Sequence, residues 1–149
     1  MQDTWKPSVT VAGVIERDGR YLLVEEEIEG RLVFNQPAGH WEPRETLADA
    51  CVREVLEETA HRMRPTALVG VYRWRYAPAD VTFLRFAFTG TVAGVEDRPL
   101  DREIRRVVWL APEEARAVQS RHRSPLVMAC IDDHLAGRRF PLDLIVHHE

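Results

Sequence analysis

The sequence predicts an α/β protein of the α+β kind, a mixed α/β sandwich, on three observations. β-rich apolar segments open the chain and recur after residue 66. One long helical period stands between them, and two short helical patterns follow the last strand signal. Residues 8–15 and 21–26 are the first strands, and Asp18-Gly19 between them is a tight-turn pair, so they form a hairpin. Glu29-Gly30 marks a second turn before a short strand at 31–35. Pro37, Gly39 and Pro43 interrupt regular structure, which makes the next stretch a loop. The helix covers about 45–59, with Thr46 as N-cap and Asp49 where a full capping box carries Glu or Gln. Residues 67–76 and 82–92 are two long strands joined through 77–80, and 104–110 is another. Pro112 opens a short helix through 119, as proline at a first helical position does. Ser124-Pro125 opens the last helix, 125–136, and Gly137 closes it.

Composition narrows the function classes. A chain of 149 residues, 45% hydrophobic and 30% charged, suits a single domain spanning 1–149 with one core. The first residues lack a signal-peptide layout and no apolar run reaches transmembrane length, so the expectation is a cytoplasmic protein without a membrane partner. Cys51 and Cys130 lie far apart without a CxxC pattern, which reads as two buried free thiols. The net charge is −4 and no basic cluster exists, which argues against a nucleic-acid partner. Monomer and homodimer both stay open.

The central helix poses a chemical question. On a wheel of 100° per residue, Ala48, Val52, Val55 and Leu56 share one apolar side, and Leu47, Ala50 and Cys51 share a second. Glu54, Glu57 and Glu58 continue that second side, leaving Thr46, Asp49 and Arg53 for solvent. Two carboxylates ~6 Å apart repel by roughly 3 kcal/mol at an effective dielectric of about 20. The negative C-terminal end of the helix adds to this. Two readings remain on the helix alone: a solvated acidic face, or oxygen ligands for a hard divalent cation such as Mg²⁺ or Mn²⁺.

The residues before the helix decide between them. Gly39, five residues, Glu45, seven residues and then Arg53-Glu54-Val55-Leu56-Glu57-Glu58 closely resemble the Nudix box. Two positions depart from it: Ala60 stands where the family has glycine, and His61 where it has an aliphatic residue. Glycine there supplies a left-handed helix cap. The flanking stretches, including 9–15, 20–47 and 83–90, are similar to a bacterial subgroup of small Nudix phosphatases. Those act on nucleoside di- and triphosphates and on thiamine-pathway pyrophosphates such as hydroxymethylpyrimidine pyrophosphate.

The resemblance implies an α/β/α sandwich with a mixed sheet and a loop–helix–loop box. It implies Mg²⁺-dependent hydrolysis of a pyrophosphate bond in a small phosphorylated substrate, with Mn²⁺ as the other candidate ion. Glu57 and Glu58 match the metal-binding pair, and Glu54 matches a position that binds metal or takes a proton from the attacking water. The backbone carbonyl of Ala38 matches another metal contact, Arg53 orients the glutamates, and Gly39 and Glu45 shape the loop. Glu103, just before the strand at 104–110, stands where many family members carry one more acidic ligand. Gln36, His40, Arg73 and Arg85, with the aromatics Trp74, Tyr76 and Phe83, are candidates for the substrate pocket. His147-His148 reads as a loose terminus. The alternative is a non-catalytic Nudix-type ligand sensor; the intact glutamates and the short chain favour the hydrolase.

Overall fold

The computed structural model of the chain describes residues 3–149. β1 (Ser8–Val14) leads through the two-residue β2 (Glu16–Arg17) into β3 (Arg20–Ile28). Asp18 and Gly19 both hold positive φ, 53° and 79°, as a type I′ turn requires. Glu29 and Gly30 do the same at 50° and 76° between β3 and β4 (Arg31–Asn35). The segment expected as loop contains a short strand, β5 (Ala38–His40). It pairs antiparallel with β1 in the register Thr10↔His40, Val11↔Gly39, Ala12↔Ala38. Three residues between breakers are too few for a period-2 pattern to show in the sequence.

α1 (Leu47–Thr59) starts where the cap signal puts it. The Thr46 hydroxyl oxygen accepts the Asp49 N–H at 3.0 Å. Ala60 then closes the helix in the left-handed region at φ 59°, its N–H donating to the Leu56 carbonyl. So the alanine takes the conformation that the family's glycine would, and the chain turns directly into a strand.

That strand is the main departure from expectation. β6 (His61–Tyr76) and β7 (Val81–Val95) form one long antiparallel ribbon, starting six residues earlier and ending three later than the sequence indicates. The early part, HRMRPT, is polar and carries Pro65, which reads against a strand. The structure places Pro65 beside a register shift, where a missing N–H is tolerated. β8 (Ile104–Leu110) follows as expected. α2 (Pro112–Ala117) is shorter than predicted and passes into a 3₁₀ turn, Gln119–Arg121. α3 is Leu126–Leu135, and Gly137 after it has φ 83°.

One sheet runs β5-β1-β7-β6, with β1 and β7 parallel and the other pairs antiparallel. In the second, β3 pairs with β2, β4 and β8. Alternation along β1 splits the core. Val11 and Ile15 pack with Leu47, Ala50, Cys51 and Val55 of α1, while Val14 packs with Val127, Met128 and Ile131 of α3. This layering makes the α/β/α sandwich. Both cysteines are buried and free. Among the described residues no helix is long and apolar enough to cross a membrane.

The last residues are tied down rather than loose. Phe140 exchanges two backbone hydrogen bonds of 2.8 Å with Leu68, and Phe140 and Ile145 pack onto the α1 side of the core. The ring Nε2 of His147 accepts the Leu47 N–H at 3.3 Å. That amide lies in the first turn of α1, where no backbone partner is available.

Candidate active site

The loop before α1 and the helix are bound together through Arg53, which the wheel had left to solvent. Its guanidinium donates twice to Glu45, at 2.8 and 3.0 Å, and once each to Glu54 (2.8 Å), Glu57 (3.4 Å) and the His40 carbonyl (3.0 Å). Glu45 also accepts the Glu42 N–H at 2.9 Å. These contacts hold the Glu45 carboxyl below its usual range, the Arg53 hydrogen bonds first. Gly39 is fixed by the same packing: a Cβ there would sit 2.1 Å from the Glu54 carboxyl carbon.

Glu54, Glu58 and Asp101 converge, with one ligand oxygen from each within 4.8 Å of the others. Glu54 and Glu58 are 8% and 5% exposed. Burial pushes the Glu54 carboxyl up to about 7, against the pull of Arg53 and helped by the charges of Glu57 and Asp101. Burial pushes Glu58 up to about 9. The Ala38 N–H, 2.9 Å away, works against the shift, and the charges of Glu26, Glu54 and Asp101 add to it. Asp101 is raised too, first by burial and then by Glu57 and Glu103. Three carboxyls held together with so little positive charge are costly as anions. Their hard oxygen donors fit a Mg²⁺ or Mn²⁺ ion.

The expected residues divide. Glu54 and Glu58 join the cluster. Glu57 stays at its edge, its carboxylate on Arg53 and its carbonyl accepting the Asp101 N–H at 3.1 Å. Glu103 lines the same cavity but is outside the group of three; Asp101 occupies that place. Nothing in the polar loop 96–103 ranks Asp97, Asp101 and Glu103 by sequence; docking of Asp101 on the end of α1 does so.

The cluster opens into a cavity of about 480 Å³, within the usual size of small-ligand sites. His40, Arg85, Trp74 and Phe83 line it, and Trp74 stacks on Phe83 with centroids 5.7 Å apart. Three expected pocket residues lie elsewhere. Gln36 is 1% exposed, and its amide is used internally, donating to the Val127 carbonyl and accepting from Arg85, each at 2.8 Å. Arg73, on β6 opposite Leu84 of β7, is exposed and one residue out of phase with Trp74, so it faces away. Tyr76 leans on Trp74 at 5.6 Å, in a separate shallow pocket. Asn35, Glu26, Arg123 and Ser124 also line the cavity, and no sequence signal marks them.

The NUDIX domain model matches residues 4–129.

The chain belongs to the NUDIX domain family.

This Nudix chain is 40% identical over 142 residues to the phosphatase NudJ of Escherichia coli K12, covering 95% of the chain and 92% of the relative. The Shigella flexneri phosphatase NudJ matches to the same extent. Among solved structures, a NUDIX hydrolase from Nitrosomonas europaea superimposes with a TM-score of 0.94 at 52% identity, covering 96% of this chain and 98% of that one. A MutT NUDIX hydrolase from Burkholderia pseudomallei shares the fold at a TM-score of 0.74 and 18% identity, covering 87% and 98%. The protein is a Nudix hydrolase.

Proposed function

We propose that this Nudix hydrolase is a Mg²⁺-dependent phosphatase that cleaves a pyrophosphate bond. The substrate classes are nucleoside di- or triphosphates and thiamine-type pyrophosphates, including hydroxymethylpyrimidine pyrophosphate. The meeting of Glu54, Glu58 and Asp101 at the mouth of a ligand-sized cavity carries this reading. Similarity to phosphatases named NudJ supports the release of phosphate.

In this reading Glu54, Glu58 and Asp101 hold the ion, with the Ala38 carbonyl, Glu57 and Glu103 as further oxygen donors nearby. The bound cation supplies charge neutralisation for the phosphate oxygens and makes water a better nucleophile. Glu54 takes the proton of the attacking water. Arg53, donating to Glu54 Oε1, fixes the carboxylate's direction. Trp74 and Phe83 offer a flat surface for the substrate's ring, and His40 borders the loop beside the phosphates.

The test is phosphate release from both substrate classes, with Mg²⁺, with Mn²⁺ and with EDTA. Turnover that survives EDTA would remove the ion from the mechanism. No turnover on either class would remove the substrate assignment.

A further inference from the structure

Arg85 is a buried cation with no anion of its own. It is 5% exposed, yet Nη1 donates to the Gln36 side-chain oxygen Oε1 (2.8 Å) and the Cys130 sulfur (3.7 Å), and Nη2 to the Asn35 side-chain oxygen Oδ1 (3.0 Å). All three partners are neutral or thiol groups. Among the described residues no carboxylate lies within salt-bridge distance of it, whereas the cavity's other arginine, Arg123, is paired with Glu26 at 2.7 Å. Burying a guanidinium cation without a counter-charge is unfavourable until an anion arrives. Gln36, itself anchored on the Val127 carbonyl, holds the group in one orientation.

The sheet register says where that anion would lie. Glu58 bonds the Ala38 N–H, in the row Ala38–Ala12–Ala87. Arg85 lies one row further along, His40–Thr10–Arg85, and two strands across. That is about 7 Å along and about 10 Å across at ordinary strand spacings. The next row holds Phe83 opposite Trp74. Residues opposite one another share a face, and His40, Thr10, Arg85, Phe83 and Trp74 all line the cavity. Acidic cluster, buried cation and aromatic pair therefore follow one another along a diagonal.

We infer that Arg85, with the Asn35 amide, binds the phosphoryl group that remains on the organic product. The ring lies on Trp74 and Phe83, and the scissile bridge lies between Arg85 and the acidic cluster. This rests on the hydrolase reading and assigns which side of the bond each group holds. Water forms a bond to the distal phosphorus and gives its proton to Glu54. The bridging P–O bond breaks, and its electron pair stays on the retained phosphoryl, where the guanidinium meets the added charge.

Binding in EDTA separates this from turnover. Calorimetry compares the ribonucleoside 5′-monophosphates with their nucleosides, and thiamine monophosphate with thiamine. In the pair whose ring fits, the monophosphate binds about tenfold more tightly, the scale of one charge-assisted pair. Arg85→Gln removes that preference and leaves the unphosphorylated compound's affinity unchanged. The wild-type contrast stands alone should the variant not fold. No preference for the phosphate in any pair overturns the inference, as does equal loss of both partners in the variant, which would make Arg85 a reader of the ring. Substrate turnover without that preference overturns this subsite alone and leaves the hydrolase reading standing.

Discussion

At the scale of single residues, the cluster's chemistry makes two predictions. Glu58→Gln removes a buried carboxyl among three acidic neighbours, so the variant should melt higher than wild type in EDTA at pH 8. Its kcat with Mg²⁺ should fall by about 10²–10³-fold, as for loss of one preorganised electrostatic group. A variant with wild-type kcat would remove Glu58 from the ligand set. The second prediction concerns pH. Folded Glu54 and Glu58 keep their protons up to about 7 and 9, while the unfolded carboxyls release theirs near 4.5. Between those limits the native state binds more protons than the unfolded one, so stability falls as pH rises. Below that window the fall reverses, because Glu45 has a lowered folded value and loses its contribution on acidification. Melting temperatures in EDTA should therefore decline from pH 5 to 9, and Glu58→Gln should flatten the decline. At this scale the site was half legible. Gly39, Arg53, Glu54 and Glu58 stand in a spaced motif, but Asp101 and Arg123 arrive from loops and Asn35 from the end of β4, where only the fold decides the contacts.

At the scale of elements, the end of α1 is the most informative place. Ala60 holds φ 59° with its side chain buried. A left-handed alanine costs about 1–2 kcal/mol, and its buried methyl returns about 0.8 kcal/mol. Ala60→Gly should thus raise stability by about 0.5 kcal/mol with activity unchanged; a clear loss in urea melts would contradict the strain assigned here. Gly39→Ala acts in the opposite direction. Its Cβ meets the Glu54 carboxyl, so β5 and α1 must separate, costing about 1–3 kcal/mol and most of the Mg²⁺-dependent activity. Magnesium titration of the melting curve should show weaker stabilisation in that variant than in wild type. Elements with a strong period or a turn pair were legible: β1, β3, β4, α1 and β8 fall within a few residues of expectation. β5 and the first third of β6 were not, because three residues show no period and Pro65 argues against a strand that a bulge accommodates.

At the scale of the whole molecule, the sandwich depends on contacts that close long loops. Phe140 adds a bridge to Leu68 in β6 and packs on the core beneath α1, so Phe140→Ala should cost about 2 kcal/mol in denaturant melts. Loss of that anchor frees the residues after it, and proteolysis near residue 140 should quicken with it. The tail was read as loose because its histidines form no motif; a single ring nitrogen meeting an uncapped amide 100 residues away leaves no trace in local sequence. That last bond also has a consequence in time. At roughly 5–20 residues per second, His147 leaves the ribosome about 5–20 s after Leu47. For that interval the Leu47 N–H is without its ring-nitrogen partner, so the start of α1 gains that bond only after residue 147 is made.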